Sequence, residues 1–244
     1  MKRENFLNAI LSAVENFSHQ RALRQAQGVL PVGEDPVIFR AMEVGFNGGH
    51  SAAITLSATE AGKFSNYASE RMSEEVEIHL TAFDICDHIY TRPNADVLMA
   101  KYPNRFNLVC GDSQQTLPTI RRPQALAHSA TESVHGSQAV PGELKWASGG
   151  FNFAFVDGLH TFEGALSDLC QAWRLAAEGA TVVVDDCDLH EVANAWAVMV
   201  NAGAVWMHRP GIGWRGLCVG RWLRPPPPPE ELAATCSPGT AHTT

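Results

Sequence analysis

Five apolar segments of the sequence each carry an acidic residue at or near their end. The segments are VIFRAMEVG, IHLTAFD, FNLVCGD, FNFAFVD and ATVVVDD, and their acidic residues are Glu43, Asp84, Asp112, Asp157 and Asp185. Carboxylates accept hydrogen bonds, hold metal ions and influence proton transfer. Ligands of open parallel sheets bind beyond the carboxyl ends of the strands, so these residues predict a ligand cleft.

The spacing of these segments predicts the fold class. They alternate with helix-length stretches such as LSDLCQAWRLAAEG, in which Gly179 is the expected helix stop. The last two strand-like runs, GAVWMHRP and RGLCVGRW, are close enough to form a hairpin. We therefore predict an α/β protein with a Rossmann-like, doubly wound, mostly parallel seven-stranded sheet and an antiparallel C-terminal hairpin.

Composition divides the chain into three parts. Residues 1–36 are predicted to form an N-terminal helical cap, because apolar residues recur at helical spacing over residues 4–28. This helix packs on the domain, covers a ligand cleft or forms a homodimer contact, and these alternatives stay open. Residues 37–223 are the predicted main domain, with a flexible insertion at 121–150, and residues 224–244 are a predicted Pro-rich, disordered tail.

Charge and composition disfavour several classes of partner. The 244 residues are 45% hydrophobic, which suffices for one sizeable core. A net charge of −8 with no clustered basic face argues against nucleic acid. No signal peptide or membrane-spanning run is visible, so we expect a cytoplasmic protein without a membrane partner. Six scattered cysteines indicate a reducing compartment rather than a disulfide framework; they are Cys86, Cys110, Cys170, Cys187, Cys218 and Cys236.

A glycine-rich turn follows the first predicted strand. In EVGFNGGHS, Gly45 and Gly49 allow the backbone to approach a ligand closely, and Ser51 begins the next helix. The turn lacks both the GxGxxG pattern of dinucleotide-binding proteins and the GK[ST] of a P-loop. A nicotinamide-dependent oxidoreductase is therefore a weakly supported alternative.

Several ordered motifs resemble those of class I S-adenosylmethionine-dependent methyltransferases. The turn from Glu43 to Gly49 resembles the first motif, TAFDICD the segment with the ribose-binding acid, and GDSQQTLP the motif beside the adenine. The run FVDGLHTFEGALSDL…EGATVVVDD is similar to the fourth and fifth strands of the small-molecule subgroup called family 24. The resemblance covers roughly residues 37–223.

The resemblance implies S-adenosylmethionine as the cofactor. The implied cofactor-binding residues are Glu43, Gly45, Gly49, Ser51, Asp84, Asp112, Ser113 and Asp157. Two ribose hydroxyls need a bidentate acceptor, which the carboxylate of Asp84 supplies. Asp87 is the rival residue for the ribose.

The acidic residues after the fourth and fifth predicted strands form a candidate metal site. Three converging carboxylates repel each other, and a divalent cation relieves that repulsion. Oxygen ligands suit Mg²⁺ better than zinc. The chain resembles the catechol and caffeoyl-type O-methyltransferases, which use such a site, and this resemblance implies Asp157, Asp185 and Asp186 as metal ligands.

Those relatives place a catalytic lysine three residues after the first aspartate, where this chain has His160. A histidine can accept a hydroxyl proton near neutral pH. His190 is the rival base, and a merely structural role for His160 is the other alternative. We expect Mg²⁺-assisted O-methylation of a small-molecule hydroxyl acceptor. The alternatives are a metal-independent N- or O-methyltransferase on the same fold and a non-catalytic cofactor-binding scaffold protein.

Overall fold

The computed structural model describes residues 2–29, 37–62, 76–120, 150–207 and 216–223. The predicted insertion at 121–150, apart from Gly150, and the predicted tail at 224–244 lie outside the described residues.

Helices and strands alternate along the described chain, as the sequence predicts. The helices are α1 (Lys2–Ala26), α2 (His50–Gly62), α3 (Thr91–Lys101), α4 (Ser113–Thr116), α5 (Phe162–Leu175) and α6 (His190–Asn201), with a 3₁₀ turn at Leu117–Thr119. The strands are β1 (Val37–Val44), β2 (Val76–Asp84), β3 (Phe106–Cys110), β4 (Phe151–Val156), β5 (Ala176–Val184), β6 (Val205–Met207) and β7 (Cys218–Trp222).

The strands form one seven-stranded sheet in the order β3-β2-β1-β4-β5-β7-β6. Strands β1 to β5 pair in parallel, whereas β7 is antiparallel to both β5 and β6. The predicted fold class, including the antiparallel C-terminal pair, is confirmed. The order reverses between β1 and β4, and ligands of such sheets bind at this switch point.

Backbone hydrogen bonds continue the parallel ladder beyond the strand ends. The N–H of Asp157 donates to the Val44 carbonyl at 2.8 Å, and the N–H of Asp185 donates to the Val156 carbonyl at 2.9 Å. The loops after β1, β4 and β5 therefore begin side by side at one edge of the sheet.

Both faces of the sheet are buried, which explains the nearly continuous apolar character of its central strands. One hydrophobic cluster lies between the sheet and helices α5 and α6, and a second between the sheet and helices α1, α2 and α3. Phe6, Ile10 and Val14 of α1 are buried in the second cluster. Among the described helices, none combines the length and the apolar character needed to cross a membrane.

The predicted helix stop at Gly179 is wrong. Helix α5 ends at Leu175, and Gly179 lies inside β5 with a φ of 70°. Ala176 already pairs with Phe151, and the pairing register then shifts before Thr181. The positive φ of Gly179 thus belongs to an irregular stretch at the start of β5, where the pairing register shifts.

The cysteine prediction is also corrected. Cys86 is bonded to Cys110, and Cys187 to Cys218, across 24 and 31 residues of sequence. The described residues contain no free cysteine. The partners lie in different loops and strands, so the sequence contains none of the short spacings that would have revealed them. The cysteines therefore no longer support the predicted reducing compartment.

Candidate active site

The loop after β1 lies directly against the loop after β4. Gly45 has a φ of 90°, and a Cβ atom at this position would lie 1.8 Å from the carbonyl oxygen of Asp157. Only glycine permits this approach of the two backbones. Gly49 also has a positive φ, 77°, and packs against the ring of Phe46.

Glu43 is a buried carboxyl beneath the glycine turn. It is 1% exposed, and its Oε1 accepts a hydrogen bond from the hydroxyl of Ser51. Its Oε2 is buried without a partner among the described residues. Burial raises the pKa of Glu43 to about 8. The hydrogen bond from Ser51 opposes this shift, whereas the nearby charges of Asp157 and Asp84 add to it.

Asp84 connects the end of β2 to the glycine turn. Its Oδ2 accepts the N–H of Asn47 at 2.8 Å, and its Oδ1 accepts the N–H of Cys86 at 2.7 Å. Asn47 is held further by the hydroxyl of Tyr90, which donates to its Oδ1 at 2.8 Å. The rival Asp87 instead faces His88 at 3.9 Å, and its side chain is 64% exposed.

Asp112 and Ser113 lie in the loop after β3. Asp112 caps helix α4, and its Oδ1 accepts the N–H of Gln114 at 2.9 Å. Its side chain therefore has a structural role, whatever else it binds. Gly111 donates its N–H to the carbonyl of Asp84 at 2.8 Å, which places this loop beside the loop after β2.

Asp157, His160 and Asp186 form a compact cluster at the carboxyl ends of β4 and β5. The Nε2 atom of His160 lies 3.4 Å from Oδ1 of Asp157 and 3.4 Å from Oδ2 of Asp186. One ligand atom from each residue lies within 4.8 Å of the others, a spacing that suits a metal ion. Asp186 has a φ of 52°, which is uncommon for a non-glycine residue. Such backbone conformations are often found at functional sites.

Asp185 is beside this cluster rather than in it. One of its oxygens accepts the N–H of Asp186 at 2.6 Å, and its side chain lines a cleft with Asp157. Burial raises the pKa of Asp157 to about 6, and the charges of Asp185 and Asp186 raise it further, whereas His160 opposes the shift. The predicted metal-ligand set of three aspartates stays a prediction.

A cleft of about 270 Å³ lies next to these acidic groups. Its lining combines apolar side chains from α1, α2 and β4 with polar groups from the glycine turn and the strand ends; the residues are Arg3, Phe6, His50, Ser51, Ile54, Phe155, Asp157, Asp185 and Leu217. Helix α1 therefore both packs on the domain and lines the cleft, which combines two of its predicted roles.

The rival base His190 lies apart from the acidic cluster. It begins helix α6, its side chain is 83% exposed, and its ring contacts Glu191 and Asn194. His160 rather than His190 is thus the histidine that the structure places among the strand-end carboxylates.

The comparisons with known proteins agree with this geometry. Residues 42–187 match the family called Methyltransf_24, a methyltransferase domain. The sheet order, the glycine turn and the acidic strand ends define a class I methyltransferase, and the match spans more than half of the chain. The protein belongs to the methyltransferase 24 family, and the predicted family is confirmed. No curated protein matches the chain.

Several solved structures are similar to this chain. The O-methyltransferase NovP is 12% identical, with 91% of this chain and 79% of NovP covered and a TM-score of 0.51. TomG from Streptomyces achromogenes, an O-methyltransferase in complex with SAM, is 16% identical, with coverages of 76% and 73% and a TM-score of 0.48. An O-methyltransferase from Bacillus cereus in complex with SAH is 12% identical, with coverages of 91% and 90% and a TM-score of 0.48.

Three features of the site were not found from the sequence. Asn47 joins the glycine turn to Asp84 through its backbone, which no side-chain pattern indicates. Arg3 reaches the cleft from the first turn of α1. Asp168 is buried in α5, and the signal for it was present, because it is a charged residue on the apolar face of a predicted helix.

Proposed function

We propose that the protein is an S-adenosylmethionine-dependent O-methyltransferase that acts on a small-molecule hydroxyl with the help of Mg²⁺. The observation that carries this proposal is the position of His160 between Asp186 and Asp157, the second of which lines the cleft. A cleft of about 270 Å³ suits a small molecule, and the net charge of −8 disfavours nucleic acid. The cytoplasmic location and a homodimer remain expectations from the sequence.

The residues around the glycine turn fit the cofactor. The unpartnered Oε2 of Glu43 is a buried acceptor, which an ammonium group such as that of a methionyl moiety would satisfy. Asp84 lies at the end of β2, where its oxygens keep lone pairs for two hydroxyls after accepting one N–H each. When bound, the cofactor supplies a methyl group on a positively charged sulfur.

The acidic cluster fits a divalent cation. Burial raises the pKa of Asp157, and the negative charges of Asp185 and Asp186 raise it further, so these three carboxyls disfavour one another's ionised forms. Asp157 and Asp186 would hold the ion with oxygen atoms, and Asp185 lies close enough to Asp157 to contribute charge. When bound, the ion supplies positive charge that favours the ionised form of an acceptor hydroxyl.

His160 provides the proton acceptor in this proposal. Its Nε2 would take the proton of the acceptor hydroxyl as that oxygen receives the methyl group that the bound cofactor would supply. Asp157 and Asp186, each 3.4 Å from Nε2, stabilise the resulting imidazolium and orient the ring. The products are a methyl ether and S-adenosylhomocysteine.

The same geometry also supports the metal-independent alternative. A histidine held by two carboxylates can act as a base without an ion, so an N- or O-methyltransferase that needs no metal stays a second candidate. The two differ in their response to a chelator.

A methyl-transfer assay tests the proposal. Labelled S-adenosylmethionine is incubated with the protein and a panel of phenols, sugars and amines, in the presence of either Mg²⁺ or EDTA. We expect methylated hydroxyl products whose formation EDTA suppresses and Mg²⁺ restores. EDTA-insensitive transfer would support the metal-independent alternative, and transfer confined to amines would contradict O-methylation.

A further inference from the structure

A buried carboxyl group lies beneath the loop that carries the candidate catalytic residues. Asp168 of α5 is 0% exposed, although aspartate is almost never fully buried without a partner. It lies on the buried face of α5 between Ala165 and Ala172, so its neighbours on the helix are small and apolar. The proposed methyl transfer does not use Asp168, and its burial is costly unless polar groups face it.

Asp168 contacts the backbone of the loop after β4. A Cβ atom at Gly158 would lie only 2.4 Å from Oδ2 of Asp168, so the glycine backbone rests directly on the carboxyl group. The N–H of Leu159 favours the ionised form of the same group. Asp157 and His160 immediately flank these two residues, so Asp168 touches the backbone that joins them.

A second loop approaches Asp168 from the other side. The hydroxyl of Ser113, in the first turn of α4, also favours the ionised carboxylate. Neither oxygen of Asp168 accepts a hydrogen bond of ordinary geometry, from Ser113, Leu159 or any other described residue. Ser113 and the Leu159 N–H nevertheless stabilise the ionised form of this buried carboxyl group.

The electrostatic environment keeps Asp168 able to act as a charged acceptor. Burial raises its pKa to about 6; Ser113 opposes this shift, Asp112 adds to it through its negative charge, and the Leu159 N–H opposes it. Above that pH the group is a carboxylate, and hydrogen bonds to carboxylates are stronger than those to neutral acceptors.

The loop also contacts the first turn of α5. A Cβ atom at Gly164 would lie 2.8 Å from the Cβ of Leu159, so the leucine side chain packs directly on the first turn of the helix. Thr161 caps that turn by accepting the N–H of Gly164 at 3.2 Å. The turn Gly158–Leu159 thus contacts α5 at two places, Asp168 and the first turn of the helix.

We propose that Asp168 is a positioning residue that holds the Gly158–Leu159 turn from within the core and thereby fixes Asp157 and His160 at the cleft. Reacting groups must be held to within about half an ångström by the residues behind them, and a buried carboxylate against the loop backbone provides such support. The effect on methyl transfer rests on the proposed function, whereas the effect on the loop does not.

Hydrogen exchange of the full-length protein tests the proposal without any ligand. The variants are Asp168→Ala, which removes both acceptor atoms, and Asp168→Asn, which keeps one carbonyl oxygen of the same size. We expect the Leu159 amide to exchange about tenfold faster in Asp168→Ala, because the turn loses the carboxyl group on which its backbone rests, and to change less in Asp168→Asn. Unchanged exchange in both variants would overturn the proposal.

The matched control is Leu169→Ala, on the same helix. Leu169 is 0% exposed and belongs to the hydrophobic cluster under the sheet, so its truncation lowers stability. We expect faster exchange in α5 but not selectively at Leu159. Selective exchange at Leu159 in this variant as well would show that general loosening of α5 suffices, which would contradict a specific role for Asp168.

A second readout connects the loop to the proposed site. Titration with Mn²⁺ and, separately, with S-adenosylmethionine should show Mn²⁺ affinity about tenfold weaker in Asp168→Ala, as for other residues that support metal ligands. Cofactor affinity should stay within about twofold of the wild type. If Asp168→Ala weakens cofactor binding but leaves Leu159 exchange normal, Asp168 acts on Ser113 rather than on the turn, and the proposal is overturned. If the wild-type protein does not bind Mn²⁺, the proposed metal site is contradicted, but the exchange result still decides the role of Asp168.

Discussion

Carboxyl groups of very different environments meet in the candidate site. Glu43 is buried and its pKa is raised to about 8, whereas Asp157 is partly exposed and its pKa is raised to about 6. In the proposed function a cation would relieve both situations: an ammonium group beside Glu43, and a divalent ion beside Asp157 and Asp186. The unequal burial of these acids thus distinguishes the proposed cofactor end of the site from the proposed metal end.

Replacement of His160 tests the base at this site. We expect His160→Gln to lower kcat about 100-fold or more, the usual contribution of a general base, because no other described histidine lies between the two carboxylates. Cofactor affinity, measured by calorimetry, should change less than about twofold, since the described side-chain contacts of His160 are with Asp157 and Asp186 and not with Glu43 or Asp84.

The matched control is His190→Gln. His190 is 83% exposed and lies away from the acidic cluster, so this change should leave kcat near the wild-type value. A large loss in His190→Gln with little loss in His160→Gln would reverse the assignment of the base.

The burial of Glu43 predicts a pH dependence of stability in the ligand-free protein. Its pKa in the folded state, about 8, lies above the usual 4.5, so the folded state keeps a proton that the unfolded state releases. The stabilisation is complete below about pH 4.5 and is lost as the pH rises through about 8. Denaturant unfolding at about pH 6 and about pH 8 should show the wild type losing on the order of 2 kcal/mol more than Glu43→Gln. Equal pH slopes in the two proteins would argue against a buried, raised Glu43.

At the scale of secondary-structure elements, the site depends on how closely the loops after β1 and β4 approach. Gly45→Ala places a methyl group against the Asp157 carbonyl, where the distance would be 1.8 Å. We expect a loss of about 3 kcal/mol or more in free energy of unfolding and a loss of cofactor binding.

Gly203→Ala is the control, because Gly203 also has a positive φ but has nothing within 4 Å of the added Cβ. That variant should lose only about 1 kcal/mol, the cost of the backbone conformation alone. Equal losses in both variants would refute the close approach.

The Cys86–Cys110 disulfide joins the loop after β2 to the end of β3, and the Cys86 N–H donates to Asp84. Replacing both cysteines by alanine should cost about 2–4 kcal/mol of stability and weaken cofactor binding by about tenfold. The Cys187–Cys218 pair closes a loop of similar length away from Asp84, so its removal should cost similar stability but not cofactor affinity. Calorimetry and denaturant unfolding of the two double variants decide this, and equal cofactor affinities would contradict the role of the first disulfide.

The elements that the sequence predicted well are those with a local signal. Strands β1 to β5 are apolar runs that end beside acids, and backbone ladder bonds then place Asp157 and Asp185 together as their positions implied. The prediction at Gly179 was wrong because glycine occurs both at helix ends and at strand irregularities. Only the pairing of Ala176 with Phe151 shows that this glycine lies in a strand. The disulfides were missed since their partners meet only after the sheet has formed.

Side-chain details of the site were less accessible to sequence than the fold. The three aspartates were predicted as one ligand set, but Asp185 turns to the backbone of Asp186 while His160 completes the compact cluster. Asp186 itself has a left-handed backbone, with a φ of 52°. A positive φ at a non-glycine residue depends on its tertiary surroundings, so composition and spacing do not reveal it.

At the scale of the whole molecule, one sheet brings all of these groups to a single edge. The reversal of strand order between β1 and β4 opens the cleft, α1 covers part of it, and the two hydrophobic clusters hold the sheet between its helices. We therefore expect the cofactor to bind only the folded domain and to stabilise it.

Calorimetric titration of the folded protein with S-adenosylmethionine, with NAD as the parallel control, tests the central claim most directly. We expect saturable, near-stoichiometric binding of S-adenosylmethionine and no binding of NAD, because the turn at Gly45 lacks the dinucleotide pattern and Glu43 offers an unpartnered buried acceptor. Failure of the folded protein to bind S-adenosylmethionine would contradict it.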